Sequence, residues 1–159
     1  MAFTIRGTGS GDLPALLALY SHLHGNPIPE PGTELHARTL RVWRQIMADP
    51  RHSILLGFDD GRAVSTCVAA IVPNLTHGAR PYMLIENVVT LPDCRGRGYA
   101  TLLLQHAQRL AREAGCYKIM LLTGSKQDST LRFYERAGFN RADKTGFIMW
   151  LEQGNSIYF

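Results

Sequence analysis

"CRGRGYATLLLQHAQRLA", Cys94 to Ala111, sets arginine and glycine in alternation directly before an amphipathic helix. Ala100, Leu103, Leu104, Ala107, Leu110, Ala111 and Ala114 recur at the i, i+3, i+4, i+7 spacing of one buried face, and Gly115 stands where a C-terminal cap belongs. The spacing predicts a helix that starts near Gly98. Its first N–H groups have no acceptor within the helix and lie at the positive end of the helix dipole. Gly96 and Gly98 let a ligand approach the backbone, and Arg95 and Arg97 add full charges. The stretch reads as an anion site, most naturally for phosphate or pyrophosphate. The plainer alternative is a glycine-rich turn with incidental arginines.

Three phosphate-binding patterns compete for these residues. A P-loop needs GxxxxGK before Ser or Thr, and neither the spacing nor the lysine is present. A dinucleotide fingerprint counted from Gly96 would place its third glycine or alanine at Thr101, and near the position for a ribose-binding acid stands Lys118. The pattern Arg-x-x-Gly-x-Ala is matched by Arg95, Gly98 and Ala100, after a segment ending in "VVTLPD".

Strands and helices alternate outward from this point. Upstream, Phe3 to Arg6 reads as a short strand. Asp12 caps a helix with Leu13, Leu16, Leu17 and Tyr20 on one face. Gly25-Asn26-Pro27 ends it, and "PIPEPG" (Pro27 to Gly32) is an exposed loop. Leu35, Thr39, Val42, Trp43, Ile46 and Met47 predict a second helix, closed by Pro50. Ser53 to Phe58 and the β-branched run Arg62 to Val72 flank the hairpin signal Asp59-Asp60-Gly61. After the loop Pro73 to Tyr82 comes a strand, Met83 to Leu91. Downstream of the central helix, Tyr117 to Leu122 reads as a buried strand, Asp128 to Arg136 as a short helix, and Phe139 to Leu151 as one or two terminal strands broken near Asp143 and Lys144.

The 159 residues suffice for one domain with a core, 1–159. With 45% hydrophobic and 19% charged residues the chain is globular rather than disordered. A net charge of +4 suits an anionic ligand without indicating nucleic acid, and no stripe of interleaved aromatic and basic residues appears. Cys67, Cys94 and Cys116 form no CxxC pair, which argues against a disulfide framework or a zinc site. Neither a signal peptide pattern nor an apolar run of membrane-spanning length is seen, so a cytoplasmic protein with no membrane partner is expected.

"IENVVTLPDCRGRGYATLLL" (Ile85 to Leu104) and "FYERAGF" (Phe133 to Phe139), separated by one helix and one strand, resemble the GNAT superfamily of acyl-CoA-dependent N-acetyltransferases. The resemblance implies an α/β GNAT fold: a mixed, mostly antiparallel sheet with flanking helices and a splayed strand pair at the acyl-CoA site. It implies acetyl-CoA as cosubstrate, with its pyrophosphate on Arg95, Gly96, Arg97, Gly98, Tyr99, Ala100 and Thr101. It further implies that the pantetheine arm pairs with the backbone of Val88, Val89 and Thr90. Such an amide-bearing arm fits a strand edge as an extra strand would. Where many members carry Asn-x-x-Ala before "FYE", this chain has Gln127 and Thr130.

Acetyl transfer needs a base for the amine, donors for the oxyanion and an acid for the departing thiolate. Glu86 lies in the apolar run "MLIENVV", and strict alternation puts it on the face of Leu84, Val88 and Thr90. Burial there would raise its pKa and suit it as a base. An ordinary reading, a glutamate paired with an arginine, is as good on the residue alone. The resemblance favours the base. The resemblance also implies Tyr134 as the acid on the sulfur, against a plain packing role. The backbone N–H of Val88 is the candidate oxyanion donor, and Asn87 reads as structural.

Other conspicuous residues read blandly. His22 and His24 lie two apart on different helix faces, so metal binding is not expected. Arginines beside Cys94 would lower its pKa, yet direct transfer needs no thiol relay. "GCYKI" (Gly115 to Ile119) resembles glucosamine-6-phosphate N-acetyltransferases but is too short to fix a substrate. The loops His24 to Gly32 and Asn74 to Tyr82 are the places for the acceptor, with Glu30, His77 and Arg80 as polar candidates. The expectation is acetyl transfer to a primary amine of a small molecule. The rivals are a protein N-terminal or lysine acetyltransferase, a non-catalytic acyl-CoA sensor and a nucleic-acid module. The proline-bounded loop argues against a protein acceptor, and the sequence leaves room for a homodimer.

Overall fold

The computed structural model describes residues 3–23 and 25–151. In chain order the elements are β1 (Thr4–Gly7), α1 (Leu13–Tyr20), α2 (Glu34–Ala48), β2 (His52–Asp59), β3 (Arg62–Val72), the single turn α3 (Thr76–Ala79), β4 (Tyr82–Thr90), α4 (Tyr99–Glu113), β5 (Ile119–Leu121) and α5 (Asp128–Arg136). The five strands form one sheet in the order β1-β2-β3-β4-β5. All neighbours are antiparallel except β4 and β5, which are parallel. A parallel neighbour needs a crossover, and α4 is that crossover.

Two apolar layers sandwich the sheet, and side-chain parity assigns the layers. Ile54, Leu56, Val64 and Val68 pack with Leu16, Leu19 and Trp43 on the α1–α2 face. Leu55, Cys67, Ala69, Met83 and Ile85 pack with Leu103, Leu104, Ala107 and Ala111 of α4. Residues 54 to 57 of β2 are therefore buried on both faces. The predicted face of α4 is the face that is buried.

The predicted second helix forms as α2, and one expectation, that of terminal strands, needs correction. On α2, Trp43 is buried but Leu35, Val42 and Met47 are exposed. That helix begins at a sound cap, Thr33 Oγ accepting the His36 N–H at 3.1 Å, but its apolar stripe is wider than the part of β2 it covers. Phe139 to Leu151 contains no strand among the described residues. The chain does pass the sheet edge, since a Cβ at Gly146 would lie 2.8 Å from Leu122 Cδ2. However, β5 is only three residues long and gives little ladder to pair with, and Phe147, Ile148, Met149 and Leu151 stay exposed. Among the described residues no helix is long and apolar enough to cross a membrane.

Candidate active site

The site is built on a defect in β4. Met83 and Ile85 face α4, yet Val89 faces α1 and α2, although all three positions are odd. A strict strand cannot do this, because alternate residues share a face. The register explains it: Val68 of β3 stands opposite Glu86, and Thr66 opposite Val89, so Asn87 and Val88 bulge out. Asn87 takes φ 50°, in the left-handed region that Asn tolerates better than most residues. The bulge reverses the alternation, so Glu86 does not share a face with Val88, which packs on the α4 side with Ile85. Strict alternation fails here because it cannot foresee an inserted residue.

At the same point β4 and β5 part. Met83, Leu84 and Ile85 pair with Ile119, Met120 and Leu121, and β5 then ends while β4 runs on to Thr90. Glu86 to Thr90 therefore border a gap on the β5 side, as expected of a splayed pair. The Val89 carbonyl accepts the Ser65 hydroxyl at 2.9 Å, and the Thr90 hydroxyl lies 2.8 Å from the Ser65 hydroxyl. These bonds tie the end of β4 firmly to β3.

Beyond β4, a turn at Pro92–Cys94 leads into the anion loop. Gly96 has φ 76° and Gly98 has φ 83°, conformations in which a side chain is strained. Gly98 is the N-cap of α4, with no side-chain cap bond there. A Cβ at either glycine would meet no atom within 4 Å, so the space above the loop is open. Thr90 and the loop thus stand together at the open end of β4. Arg95 Nε donates to the Thr90 carbonyl at 3.3 Å. Cys94 is buried, and burial together with Asp93 pushes its thiol up. The expected lowering by arginines is outweighed by burial and by the Asp93 carboxylate, which accepts the thiol at 3.6 Å.

Glu86 is exposed, so the burial that its apolar strand suggests is absent. Tyr134, on α5, is half-buried against Phe133 and Phe139, with ring centroids at 4.9 and 6.2 Å. Burial pushes the Tyr134 phenol up, with smaller contributions from Cys67 and Glu86. Glu86 and Tyr134 are thus near enough to interact electrostatically, although 48 positions in the chain separate them. Gln127 is the exposed N-cap of α5.

The acceptor candidates fare differently. His77 stacks on Tyr117 at 3.9 Å, and Arg80 donates to the Gly115 and Cys116 carbonyls at 3.3 and 3.5 Å. Both pin the α3 loop to the connection before β5, at the end of β4 away from the anion loop. Glu30 is exposed. His24 lies outside the described residues, and among those described no group of three or more His, Cys, Asp or Glu could hold a metal.

Two further residues join the site without a local signal in the sequence. The Tyr20 hydroxyl oxygen, at the end of α1, is sealed from solvent and makes no hydrogen bond. Burial pushes its phenol up to about 12, while the Asn87 side chain is close enough to hold it down slightly without reaching bonding geometry. Asp59, at the end of β2, accepts the Tyr99 hydroxyl at 2.7 Å.

Residues 15–139 match the Acetyltransferase (GNAT) family. The chain belongs to that family. It is an acetyltransferase, and as in the GNAT family generally its acetyl donor is acetyl-CoA. A glucosamine 6-phosphate N-acetyltransferase of Trypanosoma brucei brucei is 31% identical over 141 residues, covering 88% of this chain and 90% of the relative. A putative acetyltransferase from Agrobacterium tumefaciens str. C58 is 43% identical, with a TM-score of 0.83 over 92% of this chain and 99% of the other. An aminoglycoside antibiotic N-acetyltransferase from Acinetobacter baumannii shares the fold at 21% identity, with a TM-score of 0.71 over 94% and 98% of the two chains. The mixed sheet with its flanking helices is the GNAT fold.

Proposed function

We propose that residues 1–159 act as one catalytic domain that acetylates a primary amine of a small molecule, with Glu86 as base and Tyr134 as acid. The observation that supports the reading is that Glu86 lies exposed in the open part of β4 that leads into the anion loop, close enough to Tyr134 of α5 for its charge to help raise that phenol. The pyrophosphate of acetyl-CoA lies on the N–H groups of Arg95 to Thr101, and its pantetheine arm runs along Val88 to Thr90. The thioester then reaches the bulge. Glu86, directly or through water, takes a proton from the ammonium form of the acceptor. The amine lone pair attacks the thioester carbonyl carbon and a C–N bond forms. The N–H of Val88 steadies the oxyanion. The C–S bond breaks as the carbonyl re-forms, the Tyr134 hydroxyl gives its proton to the leaving thiolate, and the second proton shed by the attacking nitrogen returns through water to the Tyr134 phenolate.

Exposure suits Glu86 to this task in one respect, because a proton taken from the amine passes at once to solvent. A small-molecule acceptor is supported by the Trypanosoma relative, which is named for glucosamine 6-phosphate. The test is acetyl-CoA-dependent release of free thiol across a panel of amino sugars, aminoglycosides, polyamines and peptides. Turnover confined to small amines is expected. Turnover on peptides alone would replace the acceptor class, and thiol release with none of them while acetyl-CoA binds would favour a sensor.

A further inference from the structure

One of the two arginines of the anion loop, Arg97, does not meet the ligand as a free charge. Asp59 Oδ2 accepts the Tyr99 hydroxyl at 2.7 Å and lies 3.4 Å from Arg97 Nη1. Arg97 also donates to the Asp93 carbonyl at 3.3 Å. Asp59 would ordinarily pair with Arg62, its partner across the β2–β3 hairpin. Arg62 is instead committed to Asp93 at 2.7 Å. Asp59 is thereby left to face the loop. The loop side of the contact is fixed as well, for the Tyr99 ring stacks on Phe3 at 4.2 Å and 6°. The Phe3 ring lies over Gly57, where a Cβ would come within 2.2 Å of it. Arg95, by contrast, pairs with no carboxylate among the described residues.

We infer that Asp59 is a positioning residue for the acetyl donor: it holds Arg97 and Tyr99 in place and competes with the donor's phosphates for Arg97. The two effects oppose each other. Its hydrogen bond orders the loop, whereas its charge repels the pyrophosphate and keeps Arg97 occupied until a phosphate displaces it. Donor affinity is thus held below what the loop's own charge would give, which favours release of coenzyme A after transfer. The inference rests on the reading of Arg95 to Thr101 as the pyrophosphate loop.

Asp59→Asn separates the effects, because the amide oxygen still accepts the Tyr99 hydroxyl while the charge is gone. Titration calorimetry with coenzyme A and with pantetheine, which has no phosphate, reads the result. An exposed ion pair is a weak competitor, so binding of coenzyme A should tighten about 3- to 5-fold at low ionic strength. The gain should shrink with added salt. Pantetheine binding should not change. In an Arg97→Gln background, Asp59→Asn should tighten coenzyme A binding much less. Unchanged or weaker coenzyme A binding in a folded Asp59→Asn protein overturns the inference, as does an equal gain in the Arg97→Gln background. Asp59→Ser, which also removes the charge and keeps an acceptor, takes its place if the Asn variant does not fold. A parent protein that binds no coenzyme A would instead refute the pyrophosphate loop itself.

Discussion

Met83 to Ile85 and Glu86 to Thr90 are consecutive stretches of one strand, yet they are built for different ends. The first stretch has a strand on each side and core beneath it: Met83 and Ile85 are each 1% exposed. The second has β3 on one side, a gap on the other, a bulge in the middle and two exposed polar residues, Glu86 and Asn87. Regular pairing leaves no backbone group for a ligand, whereas an interrupted ladder does. The closed half holds the fold, and the open half spends some of that stability on exposing backbone and side chains to a substrate.

The largest expected effect lies in the closed half. Met83→Ala removes a buried side chain beside α4 and should cost about 2–5 kcal/mol of unfolding free energy, read by denaturant titration. Single-turnover transfer, measured well below the melting transition, should stay near the parent rate. A variant of parental stability that has lost transfer would break the division between the halves.

In the open half the order reverses. Glu86→Gln keeps the side-chain shape, and on an exposed residue it should barely alter melting. Transfer at neutral pH should fall ~100-fold or more, with the loss narrowing at high pH where the amine is already deprotonated. Parental turnover with a rate-limiting chemical step would remove Glu86 from the reaction. Tyr134→Phe should act more mildly, lowering the single-turnover rate roughly 10-fold with acetyl-CoA affinity intact. Because burial raises the Tyr134 pKa, the parent's activity attributable to its acid form should be lost further to the alkaline side than for a free phenol. A parent-like rate in the Phe variant would make Tyr134 a packing residue.

Much of this division is legible in the sequence, and the limit is physical. The face of α4 repeats at helical spacing, and the glycines of the anion loop mark a backbone that must turn left-handed, so both can be read locally. The same holds for the hairpin at Asp59 to Gly61. The bulge cannot be read, because "IENVV" alternates as well with an extra residue as without one, and only β3 reveals the shift. The exposure of Glu86 follows from the gap beside β5, which is a tertiary fact. Asp59 reads as a turn residue, and its second role depends on a tyrosine 40 positions later. The terminal run to Leu151 has the composition of a strand, but composition does not supply a partner strand.

The smallest effect tests the join between the halves, at Tyr20. Its hydroxyl is sealed and makes no hydrogen bond, and such a group costs stability unless a partner repays the lost hydration. Tyr20→Phe keeps the ring in the α1 layer and deletes the oxygen. At neutral pH the variant should be as stable as the parent or gain about 1 kcal/mol. The alkaline limb sharpens the test. A phenol titrates near 10 when unfolded, and burial holds Tyr20 up at about 12 in the folded protein. Between those values the unfolded chain binds fewer protons than the folded one at this site, so the parent loses stability as pH rises. The Phe variant lacks that component, and its advantage should widen from about pH 10 and level off near 12. Other groups that titrate there are common to both proteins and cancel in the difference. A Phe variant less stable than the parent at neutral pH would show that the hydroxyl bonds the Asn87 bulge after all, and that α1 helps to hold the open half of β4 in shape.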